Sequence, residues 1–224
     1  MMNIVLLGPP GSGKGTLAAD LIRLYNFEYV STGDIFRHNI REKTPLGLNA
    51  SEYIHAGQLV PDHVTIAMIA DHLKPPRTGF GILFDGFPRT VVQAEALDRM
   101  LGQMQTALHM VINLVVSRET VVERLSNRRL CVSCGRGYNL VSLPSKVPGV
   151  CDQCGGVLIQ RADDRPETVR TRLEHYRDLT KPLAAYYQEK KILVSIDNEG
   201  SIEAYTQRAA NAIAKVQQME KCRL

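Results

Sequence analysis

Residues 8–16 constrain the fold of this chain more than any other segment. They read Gly-Pro-Pro-Gly-Ser-Gly-Lys-Gly-Thr, directly after a short apolar run at Asn3–Leu7 and before an amphipathic stretch. Glycines let backbone N–H groups turn inward around an anion, while the N-terminus of the following helix and the Lys14 ammonium add positive charge. A strand, a glycine-rich turn and a helix in this order predict a phosphate-binding loop in a parallel α/β fold, rather than an incidental turn with a lysine.

The end of this phosphate loop (residues 8–16) departs from the usual pattern. Gly15 stands where serine or threonine is expected, and the hydroxyl comes one residue later, at Thr16. Direct ligation of Mg²⁺ by the loop is therefore in doubt, and we expect the ion to be held mainly by nucleotide phosphates and water.

The composition suits one α/β domain with small insertions. The chain has 224 residues, 44% of them hydrophobic, which excludes wholesale disorder. Its net charge of +4 suits a protein that binds phosphorylated small molecules and is too low to indicate nucleic acid on its own. The best apolar run, at 109–116, is shorter than the roughly 18–20 residues of a membrane span, and the N-terminus lacks the basic flank of a signal peptide. We therefore expect a cytoplasmic protein.

Strand and helix patterns alternate along most of the chain, which predicts a parallel sheet with right-handed crossovers. Further strands are predicted at 29–30, 82–84, 110–115 and 192–196. Helices are predicted at 13–25, 61–73, 91–101, 119–127, 166–188 and 201–218. Two stretches interrupt the alternation, one at 31–60 and a Gly-, Pro- and Cys-rich one at 128–164. We interpret both as insertions at the edge of the sheet where parallel strands end.

A second motif, Asp-Gly-Phe-Pro-Arg-Thr at residues 85–90, comes directly after the strand predicted at 82–84. An aspartate at the end of a strand can hold the water ligands of a metal ion. The planar guanidinium of Arg89 can bind a phosphate through two parallel hydrogen bonds. Taken alone, this motif could equally be a polar turn between strand and helix.

With both motifs in place, the sequence resembles the adenylate kinase family over essentially its whole length. The motifs that carry the resemblance follow the family's order and lie close to its spacing. They are residues 8–16 and 85–90, Ser31-Thr32-Gly33-Asp34 with Arg37, residues 56–60, Gln93, Arg124, Arg128, and residues 161–164 and 167–173.

The resemblance implies the nucleoside monophosphate kinase fold, with a central parallel sheet flanked by helices. It divides the chain into a core at 1–30, 61–127 and 165–224, an AMP-binding insertion at 31–60, and a lid at 128–164 that closes over ATP. The implied reaction is reversible transfer of the terminal phosphoryl group of ATP to AMP, giving two ADP, with Mg²⁺ as cofactor.

The resemblance also assigns roles to individual residues. The catalytic residues would be Lys14, Arg89, Arg128, Arg161 and Arg172. The ATP site would comprise Gly11, Ser12, Gly13, Lys14, Gly15, Thr16, Arg128, Gly137, Tyr138 and Gly200. The AMP site would comprise Thr32, Arg37, Gln58, Leu59, Val60, Gly86, Phe87, Pro88, Arg89, Gln93, Arg161 and Arg172. Asp85 would bind Mg²⁺ through water.

The chemistry of this reaction explains the residue types. Two polyanions must be brought together and water kept away, while the attacking phosphate oxygen of AMP is already anionic, so no general base is assigned. Positioning and charge stabilisation by lysine, Mg²⁺ and arginines carry the reaction. Asp163 and Asp164 either orient arginines or cap the helix that begins at Pro166, and the sequence favours neither.

Four cysteines form two C-x-x-C pairs, which predicts a structural zinc site. Cys131, Cys134, Cys151 and Cys154 offer four thiolates and no open position for a substrate. Iron could occupy the same ligands, and a pair of disulfides is the non-metal alternative. A lid of this size is too small to form its own core, so a metal ion can fix its shape. Cys222 stands apart and is predicted to be a free thiol.

Two other functions compete with this interpretation. A kinase for UMP or CMP would use the same machinery, but Gln93 favours adenine because its amide can both donate to and accept from the base edge. A zinc ribbon that binds nucleic acid would need a basic, aromatic-bearing segment. Residues 131–154 carry only Arg136, Lys146 and Tyr138 against Asp152. We therefore expect ATP, AMP and ADP as partners, no nucleic acid or membrane, and a monomer.

Overall fold

The structure, a computed structural model, describes residues 1–74 and 79–221. Its strands are β1 (Asn3–Leu7), β2 (Glu28–Ser31), β3 (Ile82–Asp85), β4 (Leu108–Val115), β5 (Arg128–Cys131), β6 (Gly137–Asn139), β7 (Leu158–Ile159) and β8 (Leu193–Asp197). Its helices are α1 (Lys14–Tyr25), α2 (Thr32–Arg41), α3 (Pro45–His55), α4 (Asp62–His72), α5 (Val91–Gln103), α6 (Arg118–Asn127), α7 (Pro166–His175), α8 (Pro182–Glu189) and α9 (Ile202–Lys221).

Five strands form a parallel sheet in the order β2–β3–β1–β4–β8, which confirms the predicted α/β fold with its central sheet. The alternation of side chains along β1 shows why its residues 4–7 are all apolar. Val5 and Leu7 pack into a core on one face of the sheet, and Ile4 and Leu6 pack with Leu17 of α1 on the other. Because helices cover both faces, no position of β1 can be polar and exposed.

The carboxyl ends of β1, β2 and β3 lie at the same edge of this sheet. β1 leads into the phosphate loop, β2 ends at Ser31 before Thr32, and β3 ends at Asp85. The parallel register places Ser31 beside Asp85 and Leu6 beside Asp85 from the other side. The fold therefore gathers three sequence motifs that lie far apart in the chain, as parallel strands require.

The first insertion forms two short helices, α2 and α3, that pack against each other. The Ser31 hydroxyl accepts a hydrogen bond from Asp34 N at the start of α2, and the Thr44 hydroxyl accepts one from Gly47 N at the start of α3. Pro45 occupies the first turn of α3, where a missing N–H is tolerated.

The lid segment contains a small antiparallel sheet in the order β6–β5–β7, which the sequence did not predict. Its strands are two to four residues long, too short to produce a recognisable alternation of apolar and polar residues. The boundaries proposed for the core, the AMP-binding insertion and the lid remain predictions.

The single helix predicted at 166–188 is wrong, because the chain forms α7, a π-helical turn at Tyr176–Thr180, and α8. Pro182 has no N–H and its ring would clash with the carbonyl of residue 178 in an unbroken α-helix. The helix widens into the π-helical turn just before Pro182, where Lys181 N donates to the carbonyl of Tyr176, five residues earlier, at 2.7 Å.

Within residues 1–74 and 79–221, no helix has the length and apolar character needed to cross a membrane. Cys222, predicted as a free thiol, lies outside the described residues.

Candidate active site

The phosphate loop is shaped by glycines at positions that other residues could not occupy. Gly11 and Gly13 have φ values of 79° and 89°, in the left-handed region. A Cβ atom at Gly11 would lie 2.8 Å from Leu125 Cγ, and one at Gly13 would lie 2.8 Å from Asn198 Nδ2. The loop therefore needs both freedom of the backbone and absence of side chains, and it leads into the N-terminus of α1.

The Lys14 side chain folds back onto the backbone of this loop. Its ammonium donates hydrogen bonds to the carbonyls of Gly8 and Pro9 at 2.8 and 2.9 Å. Burial lowers the pKa of Lys14 to about 8, although the negative charge of Asp85 partly opposes this. The nearby positive charges of Arg89, Arg172 and Arg128 lower the pKa further, so four of the five predicted catalytic cations influence one another electrostatically.

The end of β3 supplies an acidic and a basic group beside the phosphate loop. Asp85 Oδ2 accepts a hydrogen bond from the Tyr29 hydroxyl at 2.9 Å, and this contact accompanies a raised pKa of Tyr29 whose largest cause is burial. The carbonyl of Gly86 accepts hydrogen bonds from Thr32 Oγ1 and Arg89 Nε, both at 2.9 Å. The oxygen ligand type of Asp85 suits Mg²⁺.

A cleft beside Arg89 brings together most of the residues predicted for AMP. Ten of its lining residues were predicted from the sequence: Thr32, Arg37, Gln58, Leu59, Val60, Gly86, Arg89, Gln93, Arg161 and Arg172. Phe87 is fully buried in the core and, like Pro88, is not among the lining residues. Gly57, with φ of 72°, lets the first insertion approach α7, where a Cβ would lie 2.9 Å from the Thr168 carbonyl oxygen.

The Gln93 side chain, predicted to read adenine, is held by the protein at both ends of its amide. Its Oε1 accepts from Arg89 N at 2.8 Å, and its Nε2 donates to Asp62 Oδ1 at 2.7 Å. The other carboxylate oxygen of Asp62 accepts from Thr90 Oγ1 at 3.0 Å. Sequence patterns did not identify Asp62, because its only local feature is its place at the start of a helix.

Two carboxylates organise the arginines of the lid and of α7. Asp163 pairs with both ends of the Arg161 guanidinium, at 2.8 and 2.5 Å, and Asp164 pairs in the same forked manner with Arg128. Arg172 Nη1 donates to the Asp163 carbonyl at 2.9 Å and to Asp164 Oδ1 at 3.2 Å. The structure therefore favours the orienting role over the capping role, since neither side chain caps α7.

The pKa values in this cluster follow from burial and paired charge. Burial alone would raise the pKa of Asp163, but Arg161 and Arg172 outweigh it and hold the pKa below its ordinary value. Burial lowers the pKa of Arg172 to about 10, and Asp163 partly offsets the effect. For Arg161, burial acts to lower the pKa, but Asp163, Asp164 and Asp34 together outweigh burial and the pKa is raised. The arginines therefore form a buried cationic wall that depends on two aspartates.

Tyr138 and Gly200, both predicted for the ATP site, occupy different settings. The Tyr138 side chain is only 4% exposed, and its hydroxyl accepts from Asp152 N at 2.8 Å, so the side chain is turned into the lid. Gly200 is exposed in the turn after β8, two residues beyond Asn198. Asn198 donates from its side-chain amide to the Ser12 carbonyl, and the backbone carbonyl of Asn198 accepts from Arg124 Nη2 at 2.8 Å. This link to the phosphate loop had no signal in the sequence.

The four lid cysteines lie close enough to bind one metal ion. Their Sγ atoms are all within 4.8 Å of one another, with Cys131 and Cys154 at 3.4 Å and Cys134 and Cys151 at 3.6 Å. A tetrahedral zinc site with Zn–S bonds of about 2.3 Å requires sulfur atoms roughly 3.8 Å apart. The residues present therefore fit a tetrahedral thiolate site.

The two cysteine pairs fold as matching turns. Gly135 N donates to the Cys131 carbonyl and Gly155 N donates to the Cys151 carbonyl, at 3.0 and 2.9 Å. The two glycines have φ values of 75° and 72°, which favour glycine at these positions. Both turns thus present their cysteines in the same way, toward a shared centre.

Fold and site together define the class of protein. A phosphate loop after β1, an aspartate and arginine after β3, and an arginine-lined cleft for a second ligand are the features of a nucleoside monophosphate kinase, a phosphotransferase. The sequence matches the family model described as adenylate kinase over residues 6–192. The chain therefore belongs to the adenylate kinase family, whose reaction converts ATP and AMP into two ADP.

Relatives resemble the chain over nearly its full length. The adenylate kinase of Carboxydothermus hydrogenoformans is 47% identical over 214 residues, covering 96% of this chain and 100% of the relative. That of Desulfitobacterium hafniense is 48% identical over 212 residues, covering 95% and 98%. That of Methanothrix thermoacetophila is 45% identical over 216 residues, covering 96% and 100%.

Proposed function

We propose that this chain transfers the terminal phosphoryl group of ATP to AMP where the phosphate loop meets the cleft lined by Arg89 and Gln93. The observation that carries the proposal is the clustering of Lys14, Arg89, Arg128, Arg161 and Arg172 around that junction. Two nucleotides bring several negative charges together, and a buried cationic wall offsets their repulsion.

Each group has a distinct role in this proposal. The phosphate loop and Lys14 hold the β-phosphate of ATP, while Thr32, Arg37 and Arg89 hold AMP. Arg128, Arg161 and Arg172 contact the transferring phosphoryl group, since planar guanidiniums can bridge two oxygens and stay charged. Mg²⁺ bound to ATP would neutralise charge as it develops, and Asp85 would hold one of its waters.

No side chain is needed to remove a proton from the acceptor. The attacking oxygen belongs to a phosphate that is already anionic near neutral pH, so positioning and exclusion of water suffice. The lid segment and the first insertion, with the predicted boundaries 128–164 and 31–60, would close over ATP and AMP and keep water out.

The test of this function is a substrate panel. With ATP and Mg²⁺, AMP should give ADP at a rate well above CMP, UMP or GMP, and omission of Mg²⁺ should abolish the reaction. Coupled steady-state assays with each monophosphate measure this directly. Equal or higher activity with a pyrimidine monophosphate would replace AMP by UMP or CMP as the acceptor.

We also propose that zinc occupies the four lid cysteines in a purely structural role. Freshly purified, reduced protein should contain about one zinc per chain by metal analysis. Removal of the metal by a chelator should lower the melting temperature, and limited proteolysis should cut the lid before the core, because the lid has little apolar core besides Cys131, Tyr138 and Cys151.

Two serine variants separate the zinc site from a general effect of cysteine loss. Cys134→Ser should lose the metal, whereas Cys222→Ser, outside the two pairs, should retain it. Iron, or no metal at all, in the freshly purified wild-type protein would contradict the zinc assignment.

We further propose that the enzyme works as a monomer in the cytoplasm. The support is that one chain supplies every group named above, and that four neighbouring free thiols suit a reducing compartment. Light scattering that returned twice the chain mass of 24.9 kDa would contradict the monomer.

A further inference from the structure

The amide of Gln93 has two possible orientations, related by a half-turn that exchanges its oxygen and its nitrogen. The two partners of this amide permit only one of them. Asp62 Oδ1 is a carboxylate oxygen and can only accept, so it must face Nε2 at 2.7 Å. Arg89 N is a peptide donor and cannot accept, so it must face Oε1 at 2.8 Å. A flipped amide would oppose oxygen to oxygen and N–H to N–H.

The surroundings hold this arrangement firmly. Gln93 is 2% exposed, so water cannot easily replace a lost partner. Thr90 joins both residues, because its hydroxyl accepts from Gln93 N at 3.2 Å and donates to Asp62 Oδ2 at 3.0 Å. Asp62 is itself fixed as the first residue of α4. The amide is therefore a rigid group whose donor and acceptor sides are set by its neighbours.

The locked amide retains one N–H and one oxygen lone pair that its protein partners do not use. Adenine offers a ring nitrogen acceptor beside an amino donor, and one orientation of a carboxamide complements this edge. Hypoxanthine offers a carbonyl acceptor beside a ring N–H donor, which is the reverse pattern on a purine of the same size. A free amide could serve either base by flipping, whereas a locked one serves a single pattern.

We propose that Asp62 is a positioning residue that fixes the Gln93 amide in the orientation that complements adenine. The enzyme thereby discriminates against purine monophosphates whose base carries the donor and the acceptor in the reverse order, as in hypoxanthine. The inference rests on the proposed function, because it assigns the cleft to AMP. Asp62 does not touch the base in this account. It acts through Gln93: an amide in its place could pair with either orientation of Gln93, so that only the neutral peptide N–H of Arg89 would still oppose the flip.

The experiment compares AMP with IMP, which differ only in this edge of the purine. The measured quantity is the ratio of kcat/KM for AMP to kcat/KM for IMP, with ATP as donor. Asp62→Asn keeps the size of the side chain and should lower the ratio by about tenfold or more, the effect of freeing one hydrogen bond to a charged group. Asp62→Ala should lower it as well and serves if the asparagine variant folds poorly.

Two further variants show whether Asp62 acts through Gln93. Once Gln93→Ala has removed the amide, adding Asp62→Asn should leave the ratio within about twofold of that of Gln93→Ala alone. Glu119→Gln makes the same change of carboxylate to amide in the first turn of α6, on an exposed side chain, and should leave the ratio unchanged.

The possible outcomes are distinct. If Asp62 variants lose activity equally with AMP and IMP, its role is structural and the inference is overturned. A further fall of the ratio in the Gln93→Ala background would overturn it too, since Asp62 would then act by another route. A wild-type enzyme that makes no ADP from AMP would overturn the proposed function, whereas an active wild type with an unchanged variant ratio overturns the inference alone.

Discussion

Replacing Lys14 by methionine should lower kcat for ADP formation by at least about a hundredfold, the effect of removing one preorganised group that stabilises transition-state charge. Lys14 is the cation within the phosphate loop, held by the carbonyls of Gly8 and Pro9. Its charge already lies in a buried site, so it can stabilise a phosphoryl group without first shedding water. Methionine has a similar length and no charge, so it removes the ammonium and its hydrogen bonds to these carbonyls while keeping the bulk of the side chain.

The same substitution should not unfold the protein. Burial lowers the pKa of Lys14 to about 8, which means that the folded chain holds its charged form at a disadvantage. An apolar side chain removes that disadvantage, and we expect a melting temperature equal to or above that of the wild type. Lys215→Met, at an exposed position of α9, is the matched control and should leave kcat unchanged. Near-wild-type turnover in Lys14→Met would contradict the assigned role.

Replacing Arg89 by alanine should lower kcat by on the order of a thousandfold, as for other arginines that stabilise a transferring phosphoryl group. Arg89 lies four residues after the end of β3. Its Nε donates to the Gly86 carbonyl, and this hydrogen bond fixes the plane of the guanidinium. Burial lowers the pKa of Arg89, and Asp85 offsets part of this effect. The remaining N–H groups of the guanidinium can bridge the oxygens of two phosphates.

Geometry as well as charge matters at this position. Arg89→Lys keeps a positive charge but lacks the planar guanidinium that can bind two oxygens at once. Its kcat should therefore be only slightly higher than that of Arg89→Ala. Arg99→Ala, at an exposed position of α5, is the control and should be close to wild type. Steady-state kinetics at saturating ATP and AMP provide the measurement. A loss below tenfold in Arg89→Ala would refute a catalytic role.

The arginines of the lid and of α7 are held close together although their positive charges repel one another. Burial is the largest cause of the lowered pKa of Arg172, and the nearby charges of Arg128 and Arg161 lower that pKa further. Asp163 and Asp164 offset this repulsion, and the Asp164 side chain is fully buried. Such buried pairs are weak contributors to net stability but strong determinants of geometry. The two aspartates thus keep three cations near one another before any phosphate arrives.

Several features were readable from short stretches of sequence because local chemistry dictates them. Gly11, Gly13 and Lys14 follow an apolar strand, and no common alternative explains that order. The two C-x-x-C pairs likewise predict a metal site, since each pair and the glycine that follows it form a turn stabilised by its own hydrogen bond. The parallel sheet followed from apolar runs that alternate with helical patterns.

Other features were not predicted, either because one residue outweighs the pattern around it or because the interacting residues are distant in the chain. The break in the helix predicted at 166–188 needed the effect of Pro182 to outweigh a continuous helical pattern. The short strands of the lid become strands only by pairing with one another.

The link between Asp62 and Gln93 joins side chains 31 positions apart, and that between Asn198 and Ser12 joins groups 186 positions apart. Spacing along the chain carries no trace of such contacts, because they arise when α4 and the turn after β8 pack beside the site. Local backbone preferences and charge thus specified which groups could act on phosphates. Packing of the finished fold specified how those groups are oriented, since orientation depends on partners that only folding brings near.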